Sequence, residues 1–148
     1  MQDVHPHPLF AYGSLMKDLF NYQIYLKGKV VGTPIKARIK GELYHLTEKG
    51  YPALLSGNDW VYGEVFELKD FQTTLKKLDK LEGYSGNQAS GNEYERELVK
   101  VNIYNSVTEL YDGELDVYCY LYRLDNDSEF TQKSIYLPSG DWHQLAKK

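Results

Sequence analysis

The chain has 148 residues, 42% of them hydrophobic and 26% charged, which suits one domain (1–148) with its own core. Its net charge of −4, with no cluster of Lys and Arg, argues against nucleic acid as a main partner. No apolar run reaches the ~18 residues of a membrane span and MQDVHPHP lacks the features of a signal peptide. The single Cys119 excludes an intrachain disulfide framework, so a cytoplasmic protein is expected.

In chain order, Pro8 to Tyr12 is a short apolar run ended by Gly13, consistent with a buried first strand. Met16 to Lys27 carries Leu19, Phe20, Tyr22 and Leu26 at mostly helical spacing and predicts a short helix. Gly28 and Thr33-Pro34 punctuate the chain before Ile35 to Leu46, which alternates as a strand. Gly50-Tyr51-Pro52 reads as a turn, and Trp60 to Leu68 as a clearly alternating strand.

Asp70 to Gly83 predicts one helix whose apolar stripe is Phe71, Leu75, Leu78 and Leu81. The polar, glycine-rich Ser85 to Asn92 predicts a mobile surface loop. Glu95 to Tyr104 and Leu115 to Leu124 are the last strong strands, joined through a turn containing Asp112-Gly113. Ser139 to Trp142 begins a final turn or short helix. The pattern is α+β: about six strands, closing into a small mixed β-barrel that protects its edges, with two or three flanking helices.

Glu82 is the residue that breaks the pattern. At about 100° per residue it projects between Phe71 and Leu75, inside the apolar stripe. Burial, the like charge of Asp79 three residues back and the negative end of the helix dipole all favour the protonated acid. Such a glutamate either has a distant structural partner or moves protons near neutral pH.

Tyr12-Gly13-Ser14-Leu15 forms a strand–glycine–helix turn whose backbone N–H groups could face a carboxylate. The same pattern also serves as a routine N-cap through Ser14. His5, His7, His45 and His143 show no metal-ligand spacing, and Ser14 lies in no nucleophile elbow. Cys119, inside an apolar strand, reads as an inert core thiol. The fourteen tyrosines fit either strand surfaces or a pocket lined by hydroxyls.

Taken together, AYGSL (Ala11 to Leu15), GELY (Gly41 to Tyr44), GYPAL (Gly50 to Leu54), VYGEVFEL (Val61 to Leu68), LDKLEGY (Leu78 to Tyr84), YER from Tyr94 and YCYLY (Tyr118 to Tyr122) resemble the γ-glutamylcyclotransferase-like superfamily over nearly the whole chain. The resemblance is greatest to small bacterial members and γ-glutamylamine cyclotransferases. It implies a small mixed barrel and an enzyme that cyclises a γ-glutamyl amine or amide to 5-oxoproline, releasing the free amine without metal or other cofactor. Tyr12, Gly13, Ser14 and Leu15 would bind the glutamyl end, Tyr120 would line the pocket, and Glu82 would be the catalytic proton shuttle. Arg96 would form an ion pair with a carboxylate. The implied partner is a small γ-glutamyl molecule, neither nucleic acid nor membrane, with the oligomeric state and leaving amine left open. A binding module that keeps the pocket without turnover is the alternative. The length of the Ser85 to Glu93 segment departs from shorter relatives and bears on the outer pocket.

Overall fold

Among the described residues, six strands and one α-helix carry the fold: β1 (Leu9–Ala11), β2 (Val30–Leu46), β3 (Tyr51–Leu68), α1 (Phe71–Leu81), β4 (Tyr94–Asn105), β5 (Leu110–Tyr122) and β6 (Ser134–Tyr136). The computed structural model describes residues 6–143, so His5 lies outside the described residues. The sheet order is β3-β1-β5-β4-β2-β6, and β2 also pairs with β3, so five strands close a ring with β6 added outside β2. Among the described strands β1 and β5 run parallel and the other pairs are antiparallel. This is the α+β mixed sheet with few helices that the sequence pattern predicts.

β1 is buried at all three positions because it lies between β3 and β5, which explains its uninterrupted apolar run. Its approach to β3 depends on Gly63, where an added Cβ would fall 2.2 Å from the Ala11 carbonyl oxygen. Leu9, Phe10, Leu43, Leu54, Val61, Phe66, Val101 and Val117 fill the interior.

Several local expectations are corrected. β2 and β3 begin at Val30 and Tyr51, earlier than alternation suggests. Residues 56–58 form a bulge in β3, where the register jumps from Gly41↔Asp59 to Glu42↔Leu55. Gly50 belongs to the β2–β3 turn, whereas Tyr51 and Pro52 are already in β3, opposite Leu46 and His45.

Asp112-Gly113 is not the β4–β5 turn but part of β5, with Gly113 opposite Ile103, where a Cβ would meet Ile103 Cγ1 at 2.8 Å. Residues 106–109 make the turn instead, and Asn105 Oδ1 accepts the N–H groups of Val107 and Thr108.

The helix expected over Met16 to Lys27 shrinks to a π-helical turn, Tyr22–Leu26. Asp18, at φ 71°, adopts a left-handed conformation that no right-handed helix continues through. The short strand β6 pairs with Tyr44 to Leu46, and its three residues are too few to carry a readable period.

The segment Ser85 to Asn92 is tied down rather than loose. Asn92 is fully buried, accepts from the Ser85 N–H (2.9 Å) and donates to the Gly86 carbonyl (2.8 Å) and to Glu95 (3.1 Å). Arg123 and Asn126 donate to the carbonyls of Ala89 and Ser90 from the far side.

Candidate active site

The last turn of α1 and the turn after β1 meet over one end of the ring. α1 lies on β5, with Phe71 against Tyr118 (ring centroids 6.2 Å apart) and Leu75 and Leu78 buried. The helix ends in a Schellman arrangement: Gly83 N–H donates to the Lys80 carbonyl (3.3 Å) and Tyr84 N–H to the Asp79 carbonyl (2.9 Å), with Gly83 at φ +66°. Glu82 is the residue just before that glycine, with φ −84° and ψ 1°. The helix stop therefore fixes where the Glu82 carboxyl points.

It points into a cavity of about 60 Å³ lined by Phe10, Ala11, Tyr12 to Leu15, Asn21, Tyr51, Pro52, Leu81, Glu82, Tyr94 and Tyr120. All six site residues selected from the sequence line this one cavity. Sequence reasoning missed Tyr51, Pro52, Asn21 and Tyr94. The GYPAL segment was the available signal for the first two.

The YGSL turn is held from three sides. Met16 N–H donates to the Gly13 carbonyl (2.9 Å), Tyr22 N–H to the Ser14 carbonyl (3.0 Å), and Asn21 Nδ2 to Ser14 Oγ (2.6 Å). Ser14 therefore caps no α-helix, which corrects the N-cap reading of its side chain. Pro52 presses on Gly13, where a Cβ would lie 2.6 Å from Pro52 Cγ, so the turn tolerates only glycine there. Among the described residues no acceptor takes the N–H groups of Ser14 or Leu15.

The tyrosines spend their hydroxyls on the frame. Tyr12 donates to the Tyr120 carbonyl (2.5 Å), Tyr94 to the Pro52 carbonyl (2.6 Å) and Tyr120 to Asp79 (2.6 Å). Burial pushes all three phenols up, with the Asp79 charge adding to the effect at Tyr120. They are neutral walls near pH 7.

Asp79 does not act on Glu82 as its position in the helix suggests. It pairs with Arg96 and accepts from Tyr120, so its charge is taken up. Arg96 therefore makes the expected ion pair, at the back of the site.

Glu82 is different. Among the described residues no cation or hydrogen-bond donor engages its carboxyl, and the half-buried side chain lines the cavity. Burial, and secondarily the negative charge of Glu93, raise its pKa to about 8. Cys119 is fully buried, its thiol pushed up chiefly by burial, in keeping with an inert core position.

His45 and His143 have separate partners, Trp142 and Asp141. No group of three or more His, Cys, Asp and Glu residues able to hold a metal occurs among the described residues.

This geometry can be set beside known proteins. The sequence pattern of the family described as gamma-glutamyl cyclotransferase, AIG2-like, matches residues 9–144. The chain belongs to this family. A curated relative, the gamma-L-glutamyl-butirosin B gamma-glutamyl cyclotransferase of Niallia circulans, is 36% identical over 94 residues. That match covers 64% of this chain and 57% of the relative, so the chain spans little more than half the relative's length.

Among solved structures, YkqA from Bacillus subtilis superposes with a TM-score of 0.63 at 24% identity, covering 97% of this chain and 42% of that one. An AIG2-like protein from Mus musculus gives 0.60 at 21% identity, covering 91% and 97%. At these identities the two structures establish the fold. No helix among the described residues is long and apolar enough to cross a membrane.

Proposed function

We propose that this member of the γ-glutamyl cyclotransferase family cyclises a γ-glutamyl amine or amide to 5-oxoproline and releases the free amine, with Glu82 as the proton shuttle. The observation that carries this reading is an unpartnered carboxyl of pKa about 8 facing the same cavity as the YGSL turn. The butirosin-directed activity named for the Niallia circulans relative supports the choice of a γ-glutamyl substrate.

The steps follow from the residues. The substrate's α-carboxylate docks at the N–H groups of Ser14 and Leu15, in a turn that Pro52 packs against at Gly13. The substrate's α-ammonium, of reference pKa about 8, then lies beside Glu82 and matches it in proton affinity. Its positive charge supplies the partner that the carboxyl lacks and favours the ionised form.

Glu82 removes one proton from the ammonium, and the freed amine attacks the γ-carbonyl carbon. A new C–N bond closes the five-membered ring and the original amide C–N bond breaks as the proton held by Glu82 passes to the departing nitrogen. Glu82 then takes the second proton from the ring nitrogen, leaving the lactam N–H, and hands it to the released amine, which departs as its ammonium. Tyr12, Tyr94 and Tyr120 form neutral walls that leave Glu82 as the proton carrier. Neither metal nor organic cofactor enters these steps.

The test is incubation of wild-type protein and Glu82→Gln with a panel of γ-glutamyl amines and dipeptides, measuring 5-oxoproline and free amine together. Wild-type protein should yield the two in equal amounts, and the variant should lose about 10²–10⁴-fold in rate. Wild-type turnover by Glu82→Gln would overturn the shuttle assignment. Binding of γ-glutamyl compounds by wild-type protein without 5-oxoproline would point to a binding module.

A further inference from the structure

Behind the cavity wall lies a second carboxylate that the chemistry above does not use. Glu93 is joined to the end of α1 through its backbone: its N–H donates to the Gly83 carbonyl (3.0 Å), and a Cβ on Gly83 would sit 3.1 Å from Glu93 Cβ. From the other side, Arg123 N–H donates to the Glu93 carbonyl (2.9 Å).

Its side chain accepts from the Tyr51 hydroxyl and from Lys49 Nζ (2.8 Å). Tyr51 is itself a wall of the cavity. Lys49 also donates to the Tyr122 hydroxyl (3.1 Å), which in turn donates to Asp127 (2.6 Å). Burial lowers the Lys49 pKa, but its bonds to Glu93 and Tyr122 outweigh this and raise it.

We infer that Glu93, clamped by Tyr51 and Lys49 against the end of α1, is a positioning residue for the proton shuttle: it fixes the Tyr51 wall and places a second carboxyl behind Glu82. This rests on the reading of Glu82 as the shuttle.

The groups around Glu82 leave Glu93 as the charge that matters. Tyr12 after β1, Tyr51 on β3, Tyr94 on β4, and Cys119 and Tyr120 on β5 all have their proton affinity raised, chiefly by burial, so they are uncharged near pH 7. On α1 itself, Asp79 is occupied by Arg96. Glu93 is the neighbour whose charge raises the Glu82 pKa, second to burial. The consequence for the reaction is a shuttle matched to an α-ammonium instead of an ordinary carboxylate. Lys49 moderates the effect, because its ammonium partly offsets the Glu93 charge.

Two substitutions with opposite expected signs test the inference. Glu93→Gln keeps an acceptor for Tyr51 and Lys49 but removes the charge. Lys49→Met removes the offsetting cation. The readout is the titration midpoint of Glu82 in ligand-free protein labelled with ¹³C-carboxyl glutamate, assigned by the signal missing in Glu82→Gln.

Glu93→Gln should lower the midpoint by about 1 pH unit and Lys49→Met should raise it. Wild-type melting behaviour in both variants would show that the fold is kept. In turnover assays the pH–rate limb should move with the midpoint. Two folded variants with an unmoved midpoint, or with midpoints moved the same way, would overturn the inference. Opposite shifts with no turnover of any γ-glutamyl amine by wild-type protein would uphold the placement of Glu93 and overturn the proposed reaction instead.

Discussion

Replacing Glu82 by glutamine preserves the size and shape of the side chain while deleting its titration, so its effect on stability can be worked out from the site. The folded-state pKa is raised from 4.5 to about 8, chiefly by burial. Below pH about 4.5 both folded and unfolded chains hold this proton, and Glu82 makes no pH-dependent contribution. As pH rises from there to about 8, the unfolded chain ionises while the folded chain keeps its proton. Folding therefore loses up to about 1.4 kcal/mol per pH unit. Above about 8 both states are ionised and the full penalty remains.

At pH 7 this amounts to a ceiling of about 3 kcal/mol, and water admitted through the cavity mouth relieves part of it. Glu82→Gln should therefore be more stable than wild type by about 1–3 kcal/mol at pH 7, a rise in Tm of about 3–10 °C for a chain of this size. The gain should shrink toward zero near pH 4. Melting curves for the two proteins at pH 4, 5.5, 7 and 8.5 check this. A variant less stable than wild type at pH 7 would refute the reasoning, because it would mean that Glu82 has a structural partner whose loss leaves a buried charge. A gain independent of pH would refute it equally, since titration would then not be its source.

Gly13→Ala should destabilise the protein by about 1–3 kcal/mol through overpacking against Pro52 and should raise KM for a γ-glutamyl amine more than it lowers kcat. Thermal melts and steady-state kinetics measure both effects, and an unchanged KM would remove the turn from substrate binding. Asn92→Ala should cost about 2–4 kcal/mol, because it empties a fully buried position, leaves the Ser85 N–H without its acceptor and takes one of three donors from Glu95. Urea unfolding would register the loss. Limited proteolysis should show new cleavage within residues 85–92, and resistance equal to wild type would mean that Arg123 and Asn126 hold the loop unaided.

How far the sequence discloses the fold depends on whether each element has a period long enough to read. α1 is legible because four apolar residues recur at helical spacing, and the cores of β2 to β5 because they alternate. β6 is too short, and the π-helical turn hides behind a helical pattern that Asp18 interrupts. The turn residues Asp112-Gly113 mislead because this glycine answers a different demand, the packing of Ile103 across the strands.

Both readings of the tyrosines hold, in different places. Tyr12, Tyr51, Tyr94 and Tyr120 line the cavity, whereas Tyr62, Tyr104 and Tyr111 cluster elsewhere, with Arg38 over the Tyr111 ring and Lys36 over that of Tyr104. Alternation along a strand identifies a face, but which face encloses a cavity depends on how the ring closes. Tyr51 and Pro52 escaped the sequence reading for this reason. Their register in β3 brings Pro52 against Gly13, 39 residues earlier in the chain, and Tyr51 into the same cavity, neighbours that no local pattern encodes.

Three carboxylates near one another in the sequence show why Glu82 alone stood out as chemistry. Asp79 could have been its electrostatic adversary, yet Arg96 and Tyr120 take up its charge. Glu95 is more deeply buried than Glu82 and lies second in β4, in what reads as an ordinary strand. Burial alone would raise its pKa, but the Gln88 N–H, Asn92 and Arg123 donate to it and the net shift is downward. Burial is therefore not the discriminating property, since Glu95 has more of it and is a strut. What separates Glu82 is burial without donors, at the one place where the helix ends and a cavity begins. A carboxyl left in that state is destabilising for as long as the cavity is empty, and a substrate ammonium is the group that would relieve it. Glu82→Gln should therefore trade one for the other: it relieves the buried carboxyl and removes the proton carrier.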